Sequence, residues 1–243
     1  MVGKSDTLYH SPLAEMVDFR FDERVVSVFP DMIQRSVPGY GTLISMIGVT
    51  AGAYAQADSN CYDLGCSLGA VSLAMHEYIK QPECKVIAVD NSMAMIEKAQ
   101  QIAAKIPGAA QRIEFQLADI LDVEISQASV VVMNFTLQFI RPELRTTVIE
   151  QIYRGLKPGG VLILSEKLSF EQQQQQLLTD LHHEFKRANG YSDLEISQKR
   201  SALENVLIPE SLEAHCQRLS SAGFSSAGLW FQCFNFASIL AVK

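Results

Sequence analysis

One stretch constrains the fold of this chain more than any other: Asn60-Cys61-Tyr62-Asp63-Leu64-Gly65-Cys66-Ser67-Leu68-Gly69-Ala70. It reads as a short buried strand, a tight glycine turn and the start of a helix. The helix pattern follows at Val71, Leu73, Ala74, Tyr78 and Ile79, close to the 3.6-residue period. A strand that feeds a helix through glycines opens a βαβ unit. Gly65 can take a backbone conformation closed to other residues and leaves a ligand room to approach the main chain. Gly69 is expected to let the new helix pack close to the sheet. The helix N-terminus then turns free N–H groups and a partial positive charge towards whatever binds there.

The spacing narrows the ligand. A dinucleotide site needs G-x-G-x-x-G, with its second glycine making room for pyrophosphate. Here Ser67 stands in that place, which counts against NAD and FAD, and no Gly-Lys-Ser/Thr follows to make a phosphate loop. The next strand, Lys85 to Val89, ends in Asp90-Asn91. An acidic residue at a strand end about 20 residues past the glycines suits a ribose diol. A nucleoside without pyrophosphate fits both features, and S-adenosylmethionine (SAM) is such a molecule. The plainer alternative is an α/β domain in which Asp90 only caps the helix that begins near Ser92.

With 243 residues, 48% of them hydrophobic, the chain is long enough for one elaborated α/β domain or two small ones. A net charge of −7 argues against a broad nucleic-acid surface but leaves room for a small basic pocket. Cys61, Cys66, Cys84, Cys216 and Cys233 form no C-x-x-C pair and read as small packing residues of a reduced compartment. Cys66, though it lies in the turn, has no sequence-adjacent histidine to activate it. Residues 1–20 look irregular, carry charges throughout and lack the apolar core of a signal peptide. No run approaches 18 apolar residues, so a cytoplasmic protein with no membrane contact is expected.

Along the chain, residues 21–55 turn helical, with a break expected at Pro30, a helix-start box at Asp31 and Gln34, and a second helix from Leu43 to Tyr54. After Asp90 the βα rhythm repeats: a helix over 92–105, a strand over 112–117, a continuous apolar strand over 128–133, a helix over 142–156 and a strand over 161–165. Five strands end in polar residues, Asp63, Asp90, Asp119, Asn134 and Glu166, and ligands of open parallel sheets bind beyond the carboxyl ends of their strands. Residues 168–208 interrupt the rhythm with helices over 171–188, where a glutamine run makes a polar face, and 192–205, opened by a Ser192/Glu195 capping box. A helix over 211–222 and two strand segments, 228–231 and 233–241, close the chain.

This order of elements resembles the class I SAM-dependent methyltransferase fold from Asn60 to the C-terminus. The resemblance implies a Rossmann-like, mostly parallel seven-stranded sheet with helices on both faces. Residues 1–55 would add an N-terminal helical cap and 168–208 a helical insertion after strand 5, all within one SAM-binding domain spanning 1–243. Asp63 to Gly69 is similar to that family's first motif, which more often has glycine at position 67. By the same resemblance Gly65, Cys66 and Ser67 line the SAM turn, and Asp90 with Asn91 meets the ribose. Asp119-Ile120 matches the adenine-contacting pair, and Asn134 the strand end facing the sulfonium. Asn134-Phe135-Thr136-Leu137 lacks the prolines of the nucleic-acid amino-methylating enzymes, and no added basic module is present, so direct nucleic-acid binding is not expected.

A closer likeness runs through nearly the whole chain. Asp22-Glu23-Arg24-Val25, the run from Phe29 to Tyr40, Lys186-Arg187-Ala188-Asn189-Gly190-Tyr191 and Gln198-Lys199-Arg200-Ser201 resemble the carboxy-SAM synthase family. That resemblance implies that SAM and prephenate give carboxy-SAM and phenylpyruvate, and that the product serves another enzyme in modifying a tRNA wobble uridine. It implies that Tyr40 and Arg200 line the ligand, with Arg200 pairing with the new carboxylate. Prephenate losing carboxylate and hydroxide would supply both carbon dioxide and a base for the acidified sulfonium methyl, so the protein needs a water-poor pocket and cations more than a strong base of its own. An arginine fork suits a carboxylate. A methyltransferase acting on a small carboxylate and a non-catalytic SAM-binding partner are the competing readings. His182-His183 is not expected to hold metal, because adjacent residues face different sides of a helix. Trp230, Phe231 and Phe234 read as core. Lys186, Arg187, Lys199 and Arg200 are either a solvated face or positive charge brought over an anionic substrate. The apolar surface of the helices at 21–55 and 171–205 points to a homodimer.

Overall fold

The computed structural model describes residues 5–12 and 18–243, so part of the irregular N-terminal course, 1–4 and 13–17, lies outside the described residues. Seven strands form one sheet: β1 (Asn60–Leu64), β2 (Lys85–Asp90), β3 (Ile113–Leu117), β4 (Ala128–Asn134), β5 (Leu156–Lys167), β6 (Ser226–Cys233) and β7 (Phe236–Val242), in the order β3-β2-β1-β4-β5-β7-β6. β1 to β5 run parallel, and β7 lies antiparallel between β5 and β6. This is the seven-stranded arrangement expected from the sequence.

Strand alternation explains why both faces are covered. Cys61, Val130 and Val132 project into one core with Leu43, Ile47, Val71 and Met75, from helices α2 (Tyr40–Tyr54) and α3 (Ala70–Tyr78). Tyr62, Leu64, Val131 and Met133 project the other way. They pack with Val148, Ile149, Ile152 and Leu219, from the helices at Pro142–Gly155 and Leu212–Ala222. A parallel sheet buried on both faces reads as unbroken apolar residues, and β4 does so.

Helix α1 (Glu23–Ser36) opens at Asp22, whose carboxylate accepts the N–H groups of Arg24 and Val25. It runs through Pro30, against the expected break. Proline forfeits one helical hydrogen bond, but Pro30 is exposed, where water can serve the carbonyl left behind. The buried stripe Val25, Val28, Phe29 and Met32 holds the helix together on its other side. Asp31 is therefore no helix start; it accepts the Asp6 N–H at 2.7 Å and Arg35 Nη1 at 3.0 Å. α2 likewise begins three residues before the expected Leu43, directly after Gly39.

The remaining helices are α4 (Met93–Ala103), α5 (Ala109–Arg112), α6 (Pro142–Gly155), α7 (Gln172–Ala188), α8 (Asp193–Leu203) and α9 (Leu212–Ala222). α8 carries the expected capping box, with Ser192 and Glu195 each satisfying the other's backbone. Phe234 sits at φ 53 in the turn between β6 and β7 rather than in a strand. Trp230 and Phe231 pack against the core as expected.

Candidate active site

A cavity of about 1010 Å³ opens at the carboxyl ends of β1, β2, β4 and β5. One wall comes from the sheet: Asp63, Gly65, Ser67, Asp90 and Asn134. The facing wall comes from α1, α7 and α8. Tyr40, Gly65, Cys66, Ser67, Asp90, Asn91, Asp119, Ile120, Asn134 and Arg200, all singled out in the sequence, line this one space.

The turn after β1 owes its shape to three left-handed residues. Gly65 has φ 83 and Gly69 φ 78, and a Cβ at Gly65 would collide with the side chain of Thr136. Gly69 departs from expectation: a Cβ there would meet Phe115 at only 3.5 Å, an ordinary contact. Its need for glycine is therefore the backbone angle, not close helix packing. Ser67 also has a positive φ, of 48. It takes the conformation that glycine would take, which is why serine can occupy this place without opening the turn. Its N–H donates to Asp90 Oδ2 at 2.9 Å, and the Ser92 N–H donates to Asp90 Oδ1 at 2.9 Å. The cap of α4 is Ser92, whose Oγ accepts the Met95 N–H at 3.3 Å. Asp90 braces the turn before that cap rather than capping the helix. It borders the cavity, and each carboxylate oxygen keeps a further lone pair for a diol.

Burial sets the charge states of the site. Asp63 is buried and accepts both the N–H and the hydroxyl of Ser72, at 3.0 and 2.6 Å; loss of solvent outweighs these bonds and raises its pKa to about 7. Desolvation also raises the Asp90 carboxyl, and it pushes the Tyr40 phenol well up, so Tyr40 stays a neutral donor. The Cys66 thiol is likewise pushed far up by burial, which removes it as a thiolate nucleophile. Asp119 accepts the Leu121 N–H at 2.9 Å and so fixes the short 3-10 turn that carries Ile120.

Glu166 alone among the five polar strand ends does not face the cavity. It is buried and accepts the N–H groups of Leu137 and Gln138, both at 2.9 Å. It shapes the loop after β4 instead of meeting a ligand. Asn134 Oδ1, by contrast, is buried and without a donor among the described residues. An orphaned acceptor in a cavity calls for a ligand N–H.

The facing wall is basic. Lys186, Lys199 and Arg200 from the stretch 186–200 line the cavity, whereas Arg187 points away, paired with Asp193 and Glu184. Sequence alone did not separate these neighbours, nor did it single out Lys167 and Ser36, which border the same space. Both histidines line it too. His182 Nε2 lies 2.7 Å from the Ser36 carbonyl, and burial with the nearby Lys186 charge lowers its pKa to about 3. It is a neutral donor to that carbonyl. Among the described residues no group of three or more His, Cys, Asp or Glu is placed to hold a metal ion, and no helix is long and apolar enough to cross a membrane.

Comparison with known proteins agrees with this architecture. A family model described as a methyltransferase domain matches residues 62–160. Carboxy-S-adenosyl-L-methionine synthases are similar over the full chain. That of Geobacter metallireducens is 62% identical, covering 100% of both chains, and that of Vibrio cholerae 57% identical, covering 100% of this chain and 98% of its own. Among solved structures, human N-acetylserotonin methyltransferase in complex with SAM matches at a TM-score of 0.62 and 20% identity, over 100% of this chain and 63% of its own. An O-methyltransferase family protein from Burkholderia thailandensis matches at 0.68 and 17%, over 91% of this chain and 60% of its own. These structures share the fold; at such identity they carry nothing about the substrate.

Proposed function

We infer how the cavity works from the premise that this chain belongs to the carboxy-S-adenosyl-L-methionine synthase family and makes carboxy-SAM from SAM. In our reading prephenate is the carboxyl donor. The balance is then complete: the ring carboxylate leaves as carbon dioxide and ends on the methyl carbon. The ring hydroxide takes the methyl proton and leaves as water, and phenylpyruvate remains. The carrying observation is the charge of the cavity. Asp63, Asp90 and Asp119 line it after β1, β2 and β3, and Lys167, Lys186, Lys199 and Arg200 line it from the end of β5, α7 and α8, where Glu204 also stands.

The sheet wall holds the cation. Asp90 accepts from the ribose hydroxyls, the Asp119 carboxylate and the Ile120 N–H take the adenine edge, and Gly65, Cys66 and Ser67 form the backbone cradle. Asn134 Oδ1, short of a donor, accepts from the methionine ammonium, and Asp63 supplies negative charge beneath it. SAM supplies the sulfonium that acidifies the methyl group. Tyr40 donates from within the pocket and helps to exclude water. Arg200, which has no acidic partner among the described residues, takes the carboxylate of the new carboxymethyl group through its planar fork.

In this reading 1–243 works as one catalytic unit, the helices at 1–55 and 168–208 closing the open end of the sheet. Met46, Val49, Leu177 and Leu181 are exposed, and we assign such apolar surface to a homodimer. The product would feed a tRNA wobble-uridine modifying enzyme. The test is direct: purified protein with SAM and prephenate should release phenylpyruvate and a SAM derivative heavier by one carbon dioxide. A methylated acid and demethylated SAM would replace this reading with a methyltransferase.

A further inference from the structure

We propose that Lys167, Lys186 and Lys199 form the subsite that grips the carboxylates of the second substrate, a small dicarboxylate; the inference rests on the carboxy-SAM reading of the cavity.

Three elements bring these lysines together: the end of β5, the last turn of α7 and the middle of α8. Lys186 and Lys199 are only 7% and 6% exposed, and Lys167 is half-buried. Lys199 Nζ meets Ser36 Oγ at 2.9 Å and Asp6 Oδ2 at 3.7 Å. Asp6 is itself shared, because it also accepts the Tyr191 hydroxyl. The Nζ groups of Lys186 and Lys167 make no ion pair and no hydrogen bond among the described residues, although Asp6 acts on Lys186 from a distance. Three ammonium groups therefore face one cavity, with Arg200, Glu204 and the neutral His182 and His183 also lining it; Asp6, and Asp31 more weakly, are the carboxylates that act on Lys199 from behind.

A buried charge without a partner is costly, and an apolar side chain of similar size would be more stable there. Lys199 has Ser36 and Asp6, but folding gains nothing from Lys167 and Lys186, so they are explained by an anion that completes the cluster. The anion must also be a compact one with more than one charge, since three point charges converge. The sheet wall, with Asp63, Asp90 and Asp119, repels such a ligand and keeps it on the lysine side. There it faces the sulfonium end of a nucleoside laid along the strands. Arg200 is left for the carboxylate that has been transferred, and the lysines for those on the donor.

The charge states agree. Burial first, and then repulsion by Lys199 and Lys167, lowers Lys186 to about 7, with Asp6 opposing; burial, helped by the Arg35 charge, lowers Lys199 to about 8 against the pull of Asp6 and Asp31. At pH 8 the empty cluster is therefore short of protons, and an arriving dianion should draw a proton from solvent.

The experiment uses full-length protein saturated with S-adenosylhomocysteine, which lacks the methyl group and so cannot react, titrated calorimetrically with prephenate. Lys186→Met and Lys167→Met should each weaken prephenate at least tenfold and leave S-adenosylhomocysteine binding within twofold. Both should melt no lower than the parent protein, because an uncompensated charge has gone. Wild-type binding at pH 8 should take up protons, seen as a dependence of the heat on buffer ionisation, and Lys186→Met should lose most of that uptake, leaving the part due to Lys199. Unchanged prephenate affinity in both variants overturns the proposal, as does a joint fall in melting temperature and in both affinities, which would mark the lysines as structural. If wild type forms carboxy-SAM from SAM and prephenate while the variants bind prephenate normally, only the subsite falls. If wild type forms none, the reading of the reaction falls first.

Discussion

The Asp90 carboxylate accepts the backbone N–H of Ser67 at 2.9 Å, so the acid at the end of β2 and the turn after β1 form one rim. A substitution at either residue is felt by the other. This coupling makes Asp90 both a ligand group and a brace.

Asp90→Ala should therefore weaken SAM binding by more than a lost hydroxyl contact alone. Charge-assisted hydrogen bonds contribute ~1.5–3 kcal/mol each, so a loss of at least about tenfold is expected. Calorimetry with SAM on the folded variant measures it. Wild-type affinity would reduce Asp90 to a brace of the turns at Ser67 and Ser92, whose N–H groups it accepts.

Ser67→Gly tests the strained turn. A non-glycine residue in the left-handed region costs about 1–2 kcal/mol, partly offset by the extra freedom glycine has when unfolded. The variant should gain stability by ~0.5–1 kcal/mol in denaturant unfolding and bind SAM as before. Loss of stability would mean that the serine side chain, not only its backbone, supports the turn.

Much of this site was legible because βα units place chemistry at regular intervals: each strand end falls where the apolar run stops. Asp90, Asp119 and Asn134 were found that way. Glu166 obeyed the same rule and misled, since only tertiary packing shows that its carboxylate turns inward to the Leu137 and Gln138 N–H groups. Pro30 misled for a related reason. Helix propensity is local, whereas the stripe of Val25, Val28, Phe29 and Met32 that carries α1 through it is buried by neighbours distant in sequence. Lys186 and Arg187 are adjacent residues with opposite fates, and nothing in their charge or spacing tells which one a helix will turn inward.

Asp63 gives the protein a pH signature. Its carboxyl titrates at about 7 when folded, against an ordinary 3.8. Between those values the folded state holds a proton that the unfolded state has released, so stability falls as pH rises through that window. Glu166, raised to about 8 by burial, acts in the same direction. Asp63→Asn should flatten the fall in unfolding free energy between about pH 4 and pH 7, leaving the part due to Glu166. Denaturant titrations at several pH values would show it, and an unchanged slope would mean that Asp63 is ionised when folded. Saturating SAM should also flatten the slope, because the ammonium assigned to this wall holds the carboxylate charged.

Arg200→Lys separates the two nucleosides. Arg200 lines the cavity, is exposed, and has no ion-pair partner among the described residues, so its guanidinium is open to a ligand. Lysine keeps the charge but loses the two parallel N–H bonds that a carboxylate accepts. SAM has a bare methyl at the position where carboxy-SAM has a carboxylate. The variant should therefore bind SAM within about twofold of wild type and carboxy-SAM at least about tenfold more weakly, the scale of one charge-assisted hydrogen bond. Competition of each ligand against labelled S-adenosylhomocysteine gives both affinities in one assay. Equal weakening of the two would place Arg200 against a part that they share, such as the methionine carboxylate. Equal retention would remove it from the site and leave the transferred carboxylate to the lysines of α7 and α8.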